Sequence, residues 1–115
     1  MGNKNKLVDF SELSDMLYGD ETYIKEFSEA AIISFKEFSE NYKKFLLAKD
    51  ESNFRKTGHK IKPVAQMLNL NQIISEYEHA KTLLWDEKPM NELEQSASKI
   101  QNICSDVVNE LKEEI

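Results

Sequence analysis

Apolar residues recur along most of this chain in steps of three and four, the spacing that keeps side chains on one face of an α-helix. The longest stripe runs Ile24, Phe27, Ala31, Phe35, Phe38, Tyr42 and Phe45. Three more follow: Phe54, Gly58, Ile61, Ala65 and Leu68; then Ile73, Ile74, Tyr77, Ala80 and Leu84; then Leu93, Ala97, Ile100, Cys104, Val107 and Leu111. A shorter set, Leu13, Met16 and Leu17, precedes them. No strand-like alternation, repeat or low-complexity tract interrupts the pattern, so the expected class is all-α.

Local signals divide the stripes. Asp9-Phe10-Ser11-Glu12 reads as a capping box before the short set, and Gly19 is expected to end that helix. Asp20, Glu21 and Thr22 begin the second helix, where early acidic residues suit the positive end of its dipole. Lys49-Asp50-Glu51-Ser52 forms a polar turn, Asn69 suits a left-handed stop after the third helix, and Asn71 is a candidate cap for the fourth. That helix closes near Trp85, and Pro89 fits the first turn of the last one. Four long amphipathic stripes must bury one another, which predicts an antiparallel four-helix bundle with a short additional N-terminal helix. One domain over residues 1–115 is expected, with 1–8 as a flexible N-terminus.

Composition narrows the function classes. A formal charge of -6 opposes a domain that holds nucleic acid by neutralising phosphates. The lone Cys104 cannot form an internal disulfide, and no Cys/His cluster has zinc spacing. Residues 1–6 lack an apolar signal region, and Lys6 stands where a myristoylation signal wants Ser or Thr. No apolar run approaches the ~20 residues of a membrane span. A cytoplasmic chain, monomeric, without metal, cofactor, membrane or nucleic-acid partner, is the expectation.

The chemistry concentrates on the third helix. At about 100° per residue its apolar positions fall in one arc, and His59 points roughly 140° away from the centre of that arc, toward solvent. Arg55, Lys62 and Gln66 share the His59 face at helical spacing, with Lys56 and Lys60 flanking it more loosely. Residues 55 to 62 carry four fixed positive charges and no carboxylate, in a chain that is acidic overall. Such a strip attracts an anion, and a neutral imidazole, available near pH 7, is a nucleophile.

The stretch His59-Lys60-Ile61-Lys62-Pro63-Val64-Ala65-Gln66-Met67-Leu68-Asn69 resembles the signature of histidine-containing phosphotransfer (HPt) domains, roughly H-x-[LI]-K-G-[SA]-[SA]-x-x-[LF]-G. Helix order and lengths extend the resemblance over about 100 residues. It implies a phosphoryl carrier, not an enzyme with its own ATP-dependent kinase activity: His59 would be phosphorylated and Lys62 would stabilise the phosphoryl group. Ile61 and Leu68 would be core contacts, and Gly58 the small residue before the histidine. The implied partners are receiver domains of response regulators and a hybrid sensor kinase, with Arg55, Lys56, Lys60, Pro63 and Gln66 as the candidate docking face. Two glycines of the pattern are replaced. Asn69 is a mild change, whereas Pro63 withholds the helix hydrogen bond due to the His59 carbonyl and crowds that turn, so a local bend is expected.

Other residues offer weaker chemistry. His79 lies near Glu76 but has no second histidine or cysteine at ligand spacing, and Cys104 sits within an apolar stripe as a small hydrophobe. The phenylalanine stripe reads as packing. Ile33 and Leu47 point off the main stripe, toward either the first helix or a docking surface. Two alternatives stand beside the carrier: a pseudo-HPt adaptor disabled by Pro63, and an unrelated helical-bundle interaction protein whose basic strip is a solvated face.

Overall fold

A computed structural model describes residues 7–115, which form five helices: α1 (Phe10–Met16), α2 (Glu21–Leu47), α3 (Glu51–Met67), α4 (Asn71–Trp85) and α5 (Met90–Lys112). The described residues contain no strand, so the class is all-α. α2 packs against α3 and α5, and α4 packs against the same two helices. No helix among the described residues is long and apolar enough to cross a membrane.

Caps explain where the helices start. The Asp9, Asp20 and Asp50 carboxylates accept backbone N–H bonds at the heads of α1, α2 and α3, satisfying donors that the first turn leaves open. α4 departs from expectation. Its cap position is Leu70, which has no side-chain bond, and the Asn71 amide instead donates to Asn69 Oδ1 at 3.3 Å. Pro89 likewise sits one position early, at the cap of α5, with Met90 opening the helix.

One device closes the first four helices. The amides of Gly19, Asp50, Leu70 and Lys88 each reach back five residues, to the carbonyls of Ser14, Phe45, Ala65 and Leu83. This is the Schellman closure, which requires a left-handed residue just before the donor. Asn69 supplies it after α3 with φ +59°, as expected; Lys49 and Glu87 do so after α2 and α4. After α1 the closing residue is Tyr18 at φ +58°, and the expected Gly19 follows it in the same region.

A single apolar cluster runs through the molecule. Its middle is a chain of aromatic rings, Phe38 to Tyr42 to Phe54 to Tyr77, with successive centroids 5.5, 4.9 and 5.3 Å apart. Phe54 is fully buried there, worth roughly 1.5–3 kcal/mol relative to an exposed ring. These rings pass from α2 through α3 to α4, so the inner face of α3 is fixed from both sides. The predicted α3 core holds throughout: Phe54, Gly58, Ile61, Ala65 and Leu68 are all buried. Elsewhere the stripes shift slightly, since Leu46 and Leu83 are buried while Phe45 and Leu84 are only half-buried.

The expected flexible N-terminus reaches into the described part only at Leu7 and Val8. Both amides donate to the Glu110 carboxylate, at 3.0 and 2.9 Å, and Val8 is buried. These two residues are therefore strapped to α5. Residues 1–6 of that expectation lie outside the described residues.

Candidate functional site

The residues singled out on α3 occupy one outer surface. His59, Arg55, Lys56, Lys60, Pro63 and Gln66 are exposed, and Lys62 is half-buried one turn beyond His59. This follows from the inner face: burying residues 54, 58, 61 and 65 leaves 55, 59, 62 and 66 directed outward. α3 runs as one α-helix through Pro63 to Met67. The ring removes a donor one turn after the histidine without ending the element.

The cations are not equivalent. Lys60 turns toward α2 and pairs with Glu37 at 2.5 Å. Arg55 approaches Glu51 at 3.9 Å on its own helix. Lys56 and Lys62 have no ion pair among the described residues. The strip that reads as free of carboxylates in sequence is thus trimmed in space by Glu37. Its charge outside ion pairs among the described residues lies at Lys56 and Lys62, on either side of His59. The Asn53 hydrogen bonds and, less strongly, Lys56 hold the Asp50 carboxyl below its ordinary value.

Beneath His59 the fit is close. Gly58 is buried against α4, and a Cβ at that position would stand 2.0 Å from Cζ of Tyr77. Only a residue without a side chain lets the ring approach so near. The Tyr77 hydroxyl donates to the Arg55 carbonyl at 3.3 Å, and the Lys81 ammonium lies 4.9 Å from the ring centroid. Burial pushes the Tyr77 phenol up, the Glu78 charge adds to this and Arg55 opposes it, so the hydroxyl remains a donor at neutral pH. Sequence periodicity marks Tyr77 as core but carries no sign of its contact with the turn before His59.

A second cluster lies between α4 and α5. A groove of about 900 Å³ is lined by Ser75, Glu76, His79, Gln95, Ser96 and Lys99, among others. The buried Glu76 carboxylate accepts from Ser96 at 2.7 Å and pairs with Lys99 at 3.2 Å. The Tyr42 hydroxyl donates to the Glu76 carbonyl at 3.1 Å and lies 2.7 Å from the Ser96 hydroxyl. Burial drives the Tyr42 phenol well above its ordinary range, opposed by the Ser96 hydrogen bond. The groove's strongest polar groups are therefore spent on one another. Glu76 at a stripe position was the available signal for this network, since a carboxylate on a buried face needs partners.

The two histidines differ in surroundings. His79 is exposed, with Glu76 and Glu78 on its own helix, whereas His59 stands among cations. The cations near His79, Lys81 on its own helix and Lys99 across the groove, are paired with Glu78 and Glu76, whereas Lys56 and Lys62 beside His59 have no ion pair among the described residues. No group of three or more His, Cys, Asp or Glu among the described residues could hold a metal ion. Cys104 is buried, and burial pushes its thiol up to about 12, which makes it a poor nucleophile. Of the two off-stripe residues, Leu47 packs against the core and Ile33 is 66% exposed. Compared with family models, curated proteins and solved structures, the chain matches none.

Proposed function

We propose that this chain is a histidine phosphotransfer protein of a multistep two-component phosphorelay, carrying a phosphoryl group on His59 between aspartates of receiver domains. The observation that carries the reading is an exposed imidazole flanked on its own helix by Lys56 and Lys62, two lysines without ion pairs among the described residues. In this reading α2 to α5 form an antiparallel four-helix bundle, α1 is an appended element, and the protein works as a cytoplasmic monomer.

The chemistry needs little from the carrier. The lone pair on the unprotonated ring nitrogen of His59 forms an N–P bond as the P–O bond to the donor's aspartate breaks, and the carboxylate leaves. Transfer to a second receiver reverses these roles. Such transfers depend on positioning and on stabilising charge at the phosphoryl oxygens. Lys62, one helical turn from His59, supplies that charge, and Lys56 extends the field. ATP has no place in this scheme, because the phosphoryl group arrives already activated as an acyl phosphate.

Incubation with phosphorylated receiver domains tests the proposal. Acid-labile label is expected on the wild type and on no His59→Gln protein. Label that persists on that variant, at His79 for instance, or a wild type that accepts none from a broad panel of receivers, overturns it.

A further inference from the structure

We infer that Tyr77 is a positioning residue for His59, acting from α4 through the backbone of the turn beneath the imidazole. The inference rests on the reading of His59 as the phosphoryl acceptor. In an α-helix the His59 amide donates to the Arg55 carbonyl. The Tyr77 hydroxyl reaches that same oxygen at 3.3 Å, and a carbonyl has two lone pairs to offer. The bond is long for a hydroxyl donor, so ring contact carries most of the constraint. That contact is made at Gly58, the residue joined by one peptide bond to His59.

The ring is itself held. Phe54 lies 5.3 Å from it, centroid to centroid, on the side of the core, and Lys81 stands over it at 4.9 Å. The turn before His59 is thereby fastened to α4. The turn after it lacks the bond that residue 63 would normally donate to the His59 carbonyl. With that restraint missing, the direction in which the imidazole points depends on the fastened side. Phosphoryl transfer is sensitive to such aim, because misplacing a reacting group by about 1 Å can cost about a hundredfold in rate.

Tyr77→Phe, which keeps the ring, and Tyr77→Leu, which removes it, separate the two contributions. Two readouts are taken on the full chain: amide hydrogen exchange residue by residue, and the rate of phosphoryl transfer from a phosphorylated receiver domain. The leucine variant is expected to lose protection at His59 and its α3 neighbours while α5 keeps its own, and to accept phosphate more slowly than the phenylalanine variant. Tyr77→Phe should slow transfer by roughly 2- to 10-fold, the value of one modest hydrogen bond. Should the leucine variant fail to fold, Tyr77→Phe decides through its transfer rate. Wild-type exchange at His59 in the folded leucine variant, a loss spread evenly over α3 and α5, or, with no folded leucine variant, a wild-type transfer rate for Tyr77→Phe overturns the inference. If the wild type accepts no phosphate, the functional reading fails, and the exchange experiment still decides whether Tyr77 holds the turn.

Discussion

Between Arg55 and Gly58, α3 is gripped from outside: a tyrosine ring fills the space of a missing Cβ, and its hydroxyl shares a main-chain carbonyl. Between Lys60 and Pro63 the same helix lacks one backbone bond and is tied to α2 by an ion pair that is largely in water. His59 stands where the two meet. On the proposed carrier reading, the fastened turn is the base from which the imidazole is presented.

Four measurements would break or sharpen this contrast. The largest effect is expected from Pro63→Ala, which restores a donor to the His59 carbonyl. Proline costs about 3 kcal/mol against alanine in a helix interior, and up to about 1 kcal/mol is given back as the unfolded chain regains freedom. Denaturant unfolding should therefore show a gain of about 2 kcal/mol. No gain would mean that the missing bond does not weaken that turn. Gly58→Ala comes next. Helix preference favours alanine by about 1 kcal/mol, but overpacking against Tyr77 costs about 1–3 kcal/mol, and a 2.0 Å approach puts the outcome on the losing side. A variant more stable than wild type would show that the ring is not held against the helix.

Glu37→Gln should change stability by less than about 1 kcal/mol, because the Lys60 pair is largely solvated. Its effect should appear in kinetics. With Lys60 released, association with the phosphorylated receiver domain of the proposed relay should accelerate at low salt and return to the wild-type rate at high salt. The smallest effect concerns Asp50, at the head of the gripped half. Its side-chain and backbone hydrogen bonds with Asn53 hold the carboxyl below the ordinary aspartate value of 3.8. A depressed carboxylate stabilises the fold above that value and loses its contribution as pH falls through the lower one. Thermal melts from pH 5 downward should fall more steeply for wild type than for Asp50→Asn, which caps without titrating. Parallel curves would remove Asp50 from the account.

The contrast was only half legible in the sequence. Glycine at 58 and proline at 63 are visible in the chain, and the stripe through Phe54 and Ile61 places His59 outward without further information. What makes Gly58 necessary is Tyr77, nineteen positions on, and no periodicity reports which ring faces which turn. The Lys60 pairing with Glu37 was hidden for the same reason: charge counted along one helix omits carboxylates brought from another. The cap at Asp9 was readable because its bond spans three residues, whereas Asp20, read as the opening of α2, proves to be its cap. Asn71 misled, because its amide found Asn69 instead. At α1 the left-handed residue fell on Tyr18, since closure is fixed by where the last turn ends and glycine merely tolerates the result.

The strap from Leu7 and Val8 to the Glu110 carboxylate bears on time as well as on stability. Its ends are 103 positions apart, and joining them in an unfolded chain would cost about 4 kcal/mol in the length-dependent part of loop entropy. The contact is therefore expected to form late, once α5 has docked on the other helices and the distance is already short. An interaction made after the rate-limiting step slows escape from the native state and leaves arrival there unchanged. The strap is a latch on the finished molecule, and its kinetic signature is an unfolding limb that moves with Glu110→Gln while the folding limb stays in place.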